Sequence, residues 1–179
     1  MSQASARSAN LLGSVGLAVS DRIRAAGEDS LGLGGSAPSA VVALSTYLAD
    51  EPLDVIGGTF GITASAVVRL IDRLEAEGLV QRAPGADGRR VSVRLTTKGE
   101  RRARAILERR ERALSEVLGA LTAAERDELT RLHEKLLAEL PEDVPAARRV
   151  CRFCDVYACG HYDGRCPVTQ GVDARNLRA

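Results

Sequence analysis

Apolar residues follow a helical spacing in the segment from Ile62 to Gly78. Four of them stand at positions i, i+3, i+4 and i+7: Val67, Leu70, Ile71 and Leu74. This spacing predicts an amphipathic helix with one buried stripe. Thr63 stands where an N-cap belongs, and Gly78 stands where a left-handed residue commonly ends a helix. The side chains predicted to point outward are Ser65, Val68, Arg69, Asp72 and Arg73.

The hydrophobic pattern changes to alternation directly after Gly78. Residues 79–84 lead into a polar tip at 85–88, and Val91, Val93 and Leu95 then alternate with polar residues. This pattern predicts a β-hairpin with one buried face. An outward-facing polar helix followed at once by such a hairpin is typical of a winged helix that binds DNA.

Breaker residues and helical patterns divide the remaining chain. Residues 4–26 form a loosely periodic helix, the Gly/Ser-rich residues 27–37 a loop, and Pro38 begins a helix predicted to reach Leu48. A short helix at 53–61 contains the adjacent glycines Gly57 and Gly58, of which the first allows two helices to approach closely. Two helices follow the hairpin, and the second opens with the capping box Thr122-Ala-Ala-Glu125.

These elements predict a mainly α-helical protein with a small β-wing, in which a winged helix-turn-helix is joined to a helical dimerisation region. Four regions are expected: an N-terminal dimerisation helix and loop (1–37), the winged helix-turn-helix DNA-binding domain (38–99), C-terminal dimerisation helices (100–140) and a cysteine-rich metal-binding tail (141–179). The outer helices carry more apolar surface than a monomer of this size would bury, which favours a symmetric homodimer.

Charge and composition support this picture. Between Arg82 and Arg112 there are eleven basic and four acidic side chains, although the whole chain has a net charge of only +1. Such concentrated charge is expected of a phosphate-binding surface, although a solvated helix face accounts for its second half. The sequence has no apolar run of about 20 residues and no signal peptide in Met1–Asn10. We therefore expect a soluble cytoplasmic protein without a membrane partner.

The segment 62–99 closely resembles the multiple-antibiotic-resistance regulator (MarR) family. The resemblance is carried by Arg69-Leu-Ile-Asp-Arg-Leu-Glu75, Gly78-Leu-Val-Gln-Arg82, Asp87-Gly-Arg-Arg90 and Val93-Arg-Leu-Thr-Thr-Lys-Gly99. It implies that Ser65 and Arg69 face the major groove of double-stranded DNA, while Asp87 orients Arg89 towards the minor groove. The full set of predicted DNA-binding residues is Thr63, Ser65, Val68, Arg69, Arg73, Asp87, Arg89 and Arg90.

The resemblance also implies a mode of action. Family members are usually two-fold dimers that repress a neighbouring gene and release DNA when a small molecule binds or a thiol is oxidised. A two-fold dimer predicts a pseudo-palindromic operator with half-sites about 10 bp apart. Oxidation of a thiol in the first helix is excluded here, because no cysteine precedes Cys151.

The tail has a cysteine pattern that the family resemblance does not supply. Four thiols follow the spacing C-x2-C-x4-C-x6-C: Cys151, Cys154, Cys159 and Cys166. They predict a metal site, either for zinc, with His161 as an alternative ligand, or for an iron–sulfur cluster. A thiol/disulfide role also stays open. Phe153, Tyr157 and Tyr162 are expected to form an apolar shell around the metal.

A structural metal would fold the tail, and the regulator would then respond to a small-molecule effector. An iron–sulfur cluster would instead make the protein a sensor of oxidant, nitric oxide or iron. Two other classes compete with a DNA-binding regulator. An enzyme is disfavoured because one tetrahedral metal site would use all the candidate catalytic side chains as ligands. An adaptor protein would use the winged helix for contacts with other proteins and would show no salt-dependent DNA binding.

Overall fold

The computed structural model describes residues 3–84 and 91–177, which form eight helices and one two-stranded antiparallel sheet. The elements are α1 (Gln3–Leu31), α2 (Ala37–Leu44), α3 (Leu53–Phe60), α4 (Ala64–Ala76), β1 (Val80–Pro84), β2 (Val91–Leu95), α5 (Thr97–Leu118), α6 (Ala123–Glu139), α7 (Val144–Cys151) and α8 (Pro167–Asn176). The predicted mainly helical fold with a β-wing is therefore confirmed.

The main core is built around α2, which is buried over almost its whole length. It packs against α1, α5 and β2, while α3 packs against α4. The four stripe residues of α4 are all buried in this core, as the helical spacing predicts. Helix α4, here called the recognition helix because the sequence predicts that it contacts DNA, therefore packs on an apolar base and exposes Ser65, Val68 and Arg69.

Helix α1 is longer than predicted, because it continues through Gly27 to Leu31 instead of ending at residue 26. A Cβ atom at Gly27 would lie 2.8 Å from the Phe153 ring and 2.9 Å from Pro38 Cβ. The missing side chain lets the tail and α2 approach α1. The glycine indicates close packing here and not a loop.

Helix α2 begins beside Pro38, as predicted, but ends at Leu44 and not at Leu48. The hydroxyls of Ser45 and Thr46 donate to the carbonyls of Val42 (2.6 Å) and Ala43 (3.2 Å). Ser and Thr hydroxyls that bond nearby carbonyls compete with regular helical structure. The residues that follow are turns which lead into α3.

The hairpin of β1 and β2, here called the wing, pairs Val80 with Leu95 and Pro84 with Val91. The expected alternation on β2 is wrong at its start, where Val91 is 48% exposed and Ser92 is 2% exposed. Ser92 is buried because its hydroxyl donates to the Ala83 carbonyl across the hairpin (3.3 Å). The predicted tip and its residues Asp87, Arg89 and Arg90 lie outside the described residues.

The tail contains two helices that the sequence patterns did not predict. Helix α7 packs against α3, and α8 packs against α6 through Gly171, whose Cβ would lie 2.1 Å from the Ala138 carbonyl oxygen. The expected aromatic shell is wrong for the two tyrosines. Tyr157 and Tyr162 are exposed and contact each other at a centroid distance of 5.2 Å, whereas Phe153 packs against the main core.

Helices α1 and α6 expose large apolar side chains. Leu12 in α1 is 55% exposed, Leu140 at the end of α6 is 63% exposed, and no residue of α6 is buried. Among the described residues, no single helix is long and apolar enough to span a membrane. The pair α3 and α4 meets that test only when joined across a bend of 101°.

Candidate DNA interface and cysteine cluster

The N-terminus of the recognition helix α4 is capped by Thr63, whose hydroxyl accepts a hydrogen bond from the Ala66 N–H (3.3 Å). The Thr63 and Ser65 hydroxyls lie 3.2 Å apart. Ser65, Val68 and Arg69 are exposed on the same helix. Arg69 makes no hydrogen bond or ion pair with the described part of the chain, so its guanidinium is available for an external partner.

Arg73 is exposed, as predicted, but it already has one partner. Its Nη2 atom donates to the carbonyl oxygen of Gly34 at 3.2 Å. Gly34 lies in the loop between α1 and α2. The interaction therefore connects this loop to the recognition helix.

The recognition helix is tied to the wing by Arg82, which the sequence analysis did not single out. Arg82 Nη2 lies 2.6 Å from a carboxylate oxygen of Asp72, and its Nη1 donates to Glu75. The hydrogen bond to Asp72 is the largest of the causes that raise the pKa of Arg82. These two ion pairs connect α4 to the wing, and the Arg82 charge balances one of the two carboxylate charges.

The C-terminus of the recognition helix is fastened to the start of α5. Lys98 Nζ donates to the Glu77 carbonyl (2.6 Å), and the Thr96 hydroxyl donates to the Gly78 carbonyl (2.7 Å). Gly78 has φ of 65°, which confirms its predicted left-handed conformation. A cation at the end of a helix is favourable because the last carbonyls carry partial negative charge.

The wing is also tied to the turn that precedes α3. Arg94 Nε donates to Asp50, and this hydrogen bond is the main reason that the pKa of Asp50 is lowered. Asp50 has φ of 64°, a conformation that Asp adopts more readily than most residues. Arg82 therefore connects the wing to α4, and Arg94 connects the wing to the turn before α3.

A large cavity of about 700 Å³ lies between α1 and the tail. Its lining is mainly apolar and includes Val19 and Ile23 of α1, Phe60 of α3 and Phe153 of the tail. Arg110 of α5 reaches the same cavity. Its Nε atom is buried and has no hydrogen-bond partner among the described residues.

The four cysteines come together at one place. All of them line the large cavity and also a second one of about 210 Å³. The thiols of Cys154 and Cys159 each lie 3.5 Å from a backbone carbonyl oxygen, of Asp155 and Val156 respectively. His161 lines only the smaller cavity, and its Nδ1 lies 3.2 Å from the Thr169 hydroxyl.

Three of the four cysteines have a raised pKa and the fourth has a lowered one. Burial, reinforced by neighbouring cysteines, raises the pKa of Cys151 and of Cys159 to about 12 and also raises that of Cys154. Burial also raises the pKa of Cys166, but the amide and hydroxyl of Thr169 and the Val168 amide outweigh it and lower the pKa. Cys166 is the N-cap residue of α8, but its side chain makes no capping hydrogen bond. In the described parts of the chain, no three His, Cys, Asp or Glu side chains are already placed as ligands of one ion.

The cysteine cluster is linked to the helix-turn-helix by two contacts that the sequence did not reveal. Arg148 on α7 lies 2.7 Å from a carboxylate oxygen of Glu51, and the Tyr47 hydroxyl donates to the Arg148 carbonyl (3.2 Å). Residues 47 and 148 are far apart in sequence, and no periodicity relates them. Tyr47 is one of only three tyrosines in the sequence, and this rarity was the only sequence feature that could have indicated the contact.

No protein-family model and no curated protein matches this sequence. Solved structures do match its fold. A MarR family protein from Bacillus stearothermophilus is 27% identical with a TM-score of 0.62, and the match covers 76% of this chain and 95% of that chain.

Two matched structures contain ligands. A variant of MepR from S. aureus bound to an oligodeoxyribonucleotide is 19% identical, has a TM-score of 0.55 and covers 74% of this chain and 96% of that chain. CouR from Rhodococcus jostii RHA1 bound to p-coumaroyl-CoA is 22% identical, has a TM-score of 0.55 and covers 70% of this chain and 88% of that chain. The chain is therefore similar in fold to the MarR-family transcriptional regulators.

Proposed function

We propose that this chain is a DNA-binding transcription regulator that acts as a cytoplasmic homodimer and represses genes through a pseudo-palindromic operator. The observation that carries the proposal is the exposed face of α4. It presents Ser65 and an unpaired Arg69 beside a basic wing, on a helix whose opposite face is fully buried. An arginine that is free of intramolecular partners suits bidentate contact with a guanine edge in the major groove.

The dimer would be formed by α1, the end of α5 and α6. These helices expose apolar side chains that the described chain does not cover, such as Leu11, Leu12 and Leu136. A two-fold axis through this surface would place two recognition helices in successive major grooves, with half-sites about 10 bp apart. The wing residues Asp87, Arg89 and Arg90 would contact the neighbouring minor groove and phosphates.

A small-molecule effector would fit the cavity of about 700 Å³, which lies between α1 and the tail. This volume lies within the usual range for small-molecule sites, about 300–1,000 Å³. The MarR-like structure of CouR contains p-coumaroyl-CoA, which supports a ligand-responsive role. The tail would hold a metal, either zinc or an iron–sulfur cluster.

DNA binding is tested with the full-length protein and a pool of random double-stranded DNA, from which bound sequences are selected and their affinity is measured at several salt concentrations. We expect a pseudo-palindromic consensus and an affinity that falls steeply with salt. Arg69→Ala should relax sequence preference, and Arg89→Ala should weaken binding to all sequences and flatten the salt dependence. Arg131→Ala in α6 is the matched control and should behave like wild type.

An adaptor that uses the winged helix for protein contacts would show no salt-dependent binding to any DNA. That result would refute the proposal as a whole. An Arg89→Ala protein with wild-type affinity and salt dependence would remove only the role given to the wing. Repression is tested separately by reporter transcription from the selected operator, with activation as the opposing result.

A further inference from the structure

The four cysteines line one small cavity but lie at different places along the tail. Cys151 ends α7, Cys166 precedes α8, and Cys154 and Cys159 lie in the turns between them. The turns are held by backbone hydrogen bonds, among them Cys154 N–H to Cys151 O (2.8 Å) and Arg165 N–H to Gly160 O (2.9 Å). Gly160 has φ of 72°, which suits such a turn. The four thiols therefore line one cavity on a hydrogen-bonded backbone.

The surroundings of the thiols supply positive charge. Arg110 lines the large cavity beside the cysteines, and its charge acts on Cys154. The buried and unpartnered Nε atom of Arg110 is a donor that faces no acceptor in the described chain. A buried donor without a partner is costly, so an anionic centre beside it would remove that cost.

We propose that Cys151, Cys154, Cys159 and Cys166 together bind one Zn²⁺ ion, and that this ion fastens α7 against the helix-turn-helix. Binding converts four thiols into four thiolates and releases four protons to solvent. The centre then carries a net charge of −2, which Arg110 partly balances. The thiols draw together around the ion, and their contacts with the carbonyls of Asp155 and Val156 (both 3.5 Å) are replaced by bonds to zinc.

The four thiols suit a single zinc ion. All of them line one cavity of about 210 Å³. Four thiolates form the tetrahedral set of a structural zinc site, in which a Zn–S distance of about 2.3 Å places the sulfurs less than about 4 Å apart. In an iron–sulfur cluster the cysteines are bound to different irons and stand farther apart. His161 is not required, because its ring is exposed and interacts with Thr169.

The mechanical link runs through one turn of α7. Arg148 precedes the ligand Cys151 by three residues, so both project from neighbouring positions on the helix. Arg148 is held by Glu51 and by Tyr47, which flank the turn that leads into α3. Phe153, between the first two ligands, packs beside Gly27 of α1. Zinc therefore connects the tail to both the dimerisation helix and the helix-turn-helix.

The metal is tested on the full-length protein by elemental analysis, thiol titration and visible spectroscopy. We expect a colourless protein with one zinc per chain, whose four thiols react only after chelation. Replacement by Co²⁺ should give the visible bands of thiolate-bound cobalt. Cys154→Ser should lose the metal and His161→Gln should keep it. Iron with sulfide, or a folded metal-free protein with four reactive thiols, would overturn the zinc site.

The link to α3 is tested by hydrogen exchange, with zinc bound and after chelation. Amides of α3 should exchange faster without zinc, and Glu51→Gln should shrink that difference while zinc stays bound. Glu128→Gln, which breaks the Arg131 pair in α6, is the control and should leave the difference unchanged. Equal α3 exchange in both states would refute the link. Only its consequence for gene regulation rests on the proposed function, and neither experiment uses DNA.

Discussion

Gly99, in the first turn of α5, is the position where one added carbon should cost the most stability. A Cβ atom there would lie 2.0 Å from the Leu79 carbonyl oxygen and 3.0 Å from a Leu95 methyl group. The carbonyl cannot retreat freely, because it accepts a hydrogen bond from the Thr96 N–H at 3.0 Å. Gly99→Ala must therefore displace the backbone where the recognition helix, the wing and α5 meet.

The magnitude follows from two contributions. Overpacking a close contact costs about 1–3 kcal/mol, and weakening the hydrogen bond to the Leu79 carbonyl adds about 1 kcal/mol. We expect Gly99→Ala to lower the free energy of unfolding by roughly 2–4 kcal/mol, a large part of a typical total of about 5–15 kcal/mol. For a chain of this size the Tm should fall by roughly 4–16 °C.

The assay is urea unfolding at one fixed protein concentration, since the proposed dimerisation would make apparent stability depend on concentration. The matched control is Gly58→Ala in α3, where no atom lies within 4 Å of the added Cβ. Alanine is favoured over glycine in a helix interior, so this variant should gain up to about 1 kcal/mol. A Gly99→Ala protein within about 0.5 kcal/mol of wild type, the range usual for surface substitutions, would refute the packing argument.

Three further predictions concern other parts of the molecule. Leu12→Glu should shift the protein towards monomers in analytical ultracentrifugation by placing a charge on the exposed apolar face of α1, and an unchanged dimer would exclude that face. Thr122→Ala removes the capping box with Glu125 and should cost about 0.5–2 kcal/mol in urea unfolding, whereas no loss would mean that the cap is not used. Because the pKa of Asp50 is lowered, its pairing with Arg94 stabilises the fold at pH values above the ordinary pKa of 3.8, and this stabilisation is lost as the pH falls through the lowered pKa. Asp50→Asn should therefore weaken the dependence of stability on acid pH. An unchanged profile of stability against pH would contradict the pairing.

The parts of the fold that follow local rules could be predicted from the sequence. The recognition helix has four stripe residues, an N-cap at Thr63 and a left-handed Gly78, and each of these local features specifies the same structure. The capping box at Thr122 is likewise specified within four residues. Such features need no knowledge of distant segments, because their hydrogen bonds are made within one turn.

The mispredicted parts depend on contacts between distant segments. Gly27 belongs to a helix because Phe153, far along the chain, packs where its side chain would be. Ser92 is buried because a carbonyl on the paired strand accepts its hydroxyl hydrogen bond. For the candidate site, the sequence predicted the exposed positions of Arg69 and Arg73 but not the contacts of Arg82 or Arg148. Their roles arise from ion pairs with residues on other elements.

The hydrogen bond from Arg73 to the Gly34 carbonyl extends the proposed DNA-binding surface beyond the winged helix. A guanidinium has five N–H donors, so Arg73 can hold this peptide group and still reach a phosphate oxygen. The loop between α1 and α2 would then determine where that phosphate contact is made. Changes in the length of this loop should alter affinity for every DNA sequence equally, while base preference, which we assign to Ser65 and Arg69, should stay the same.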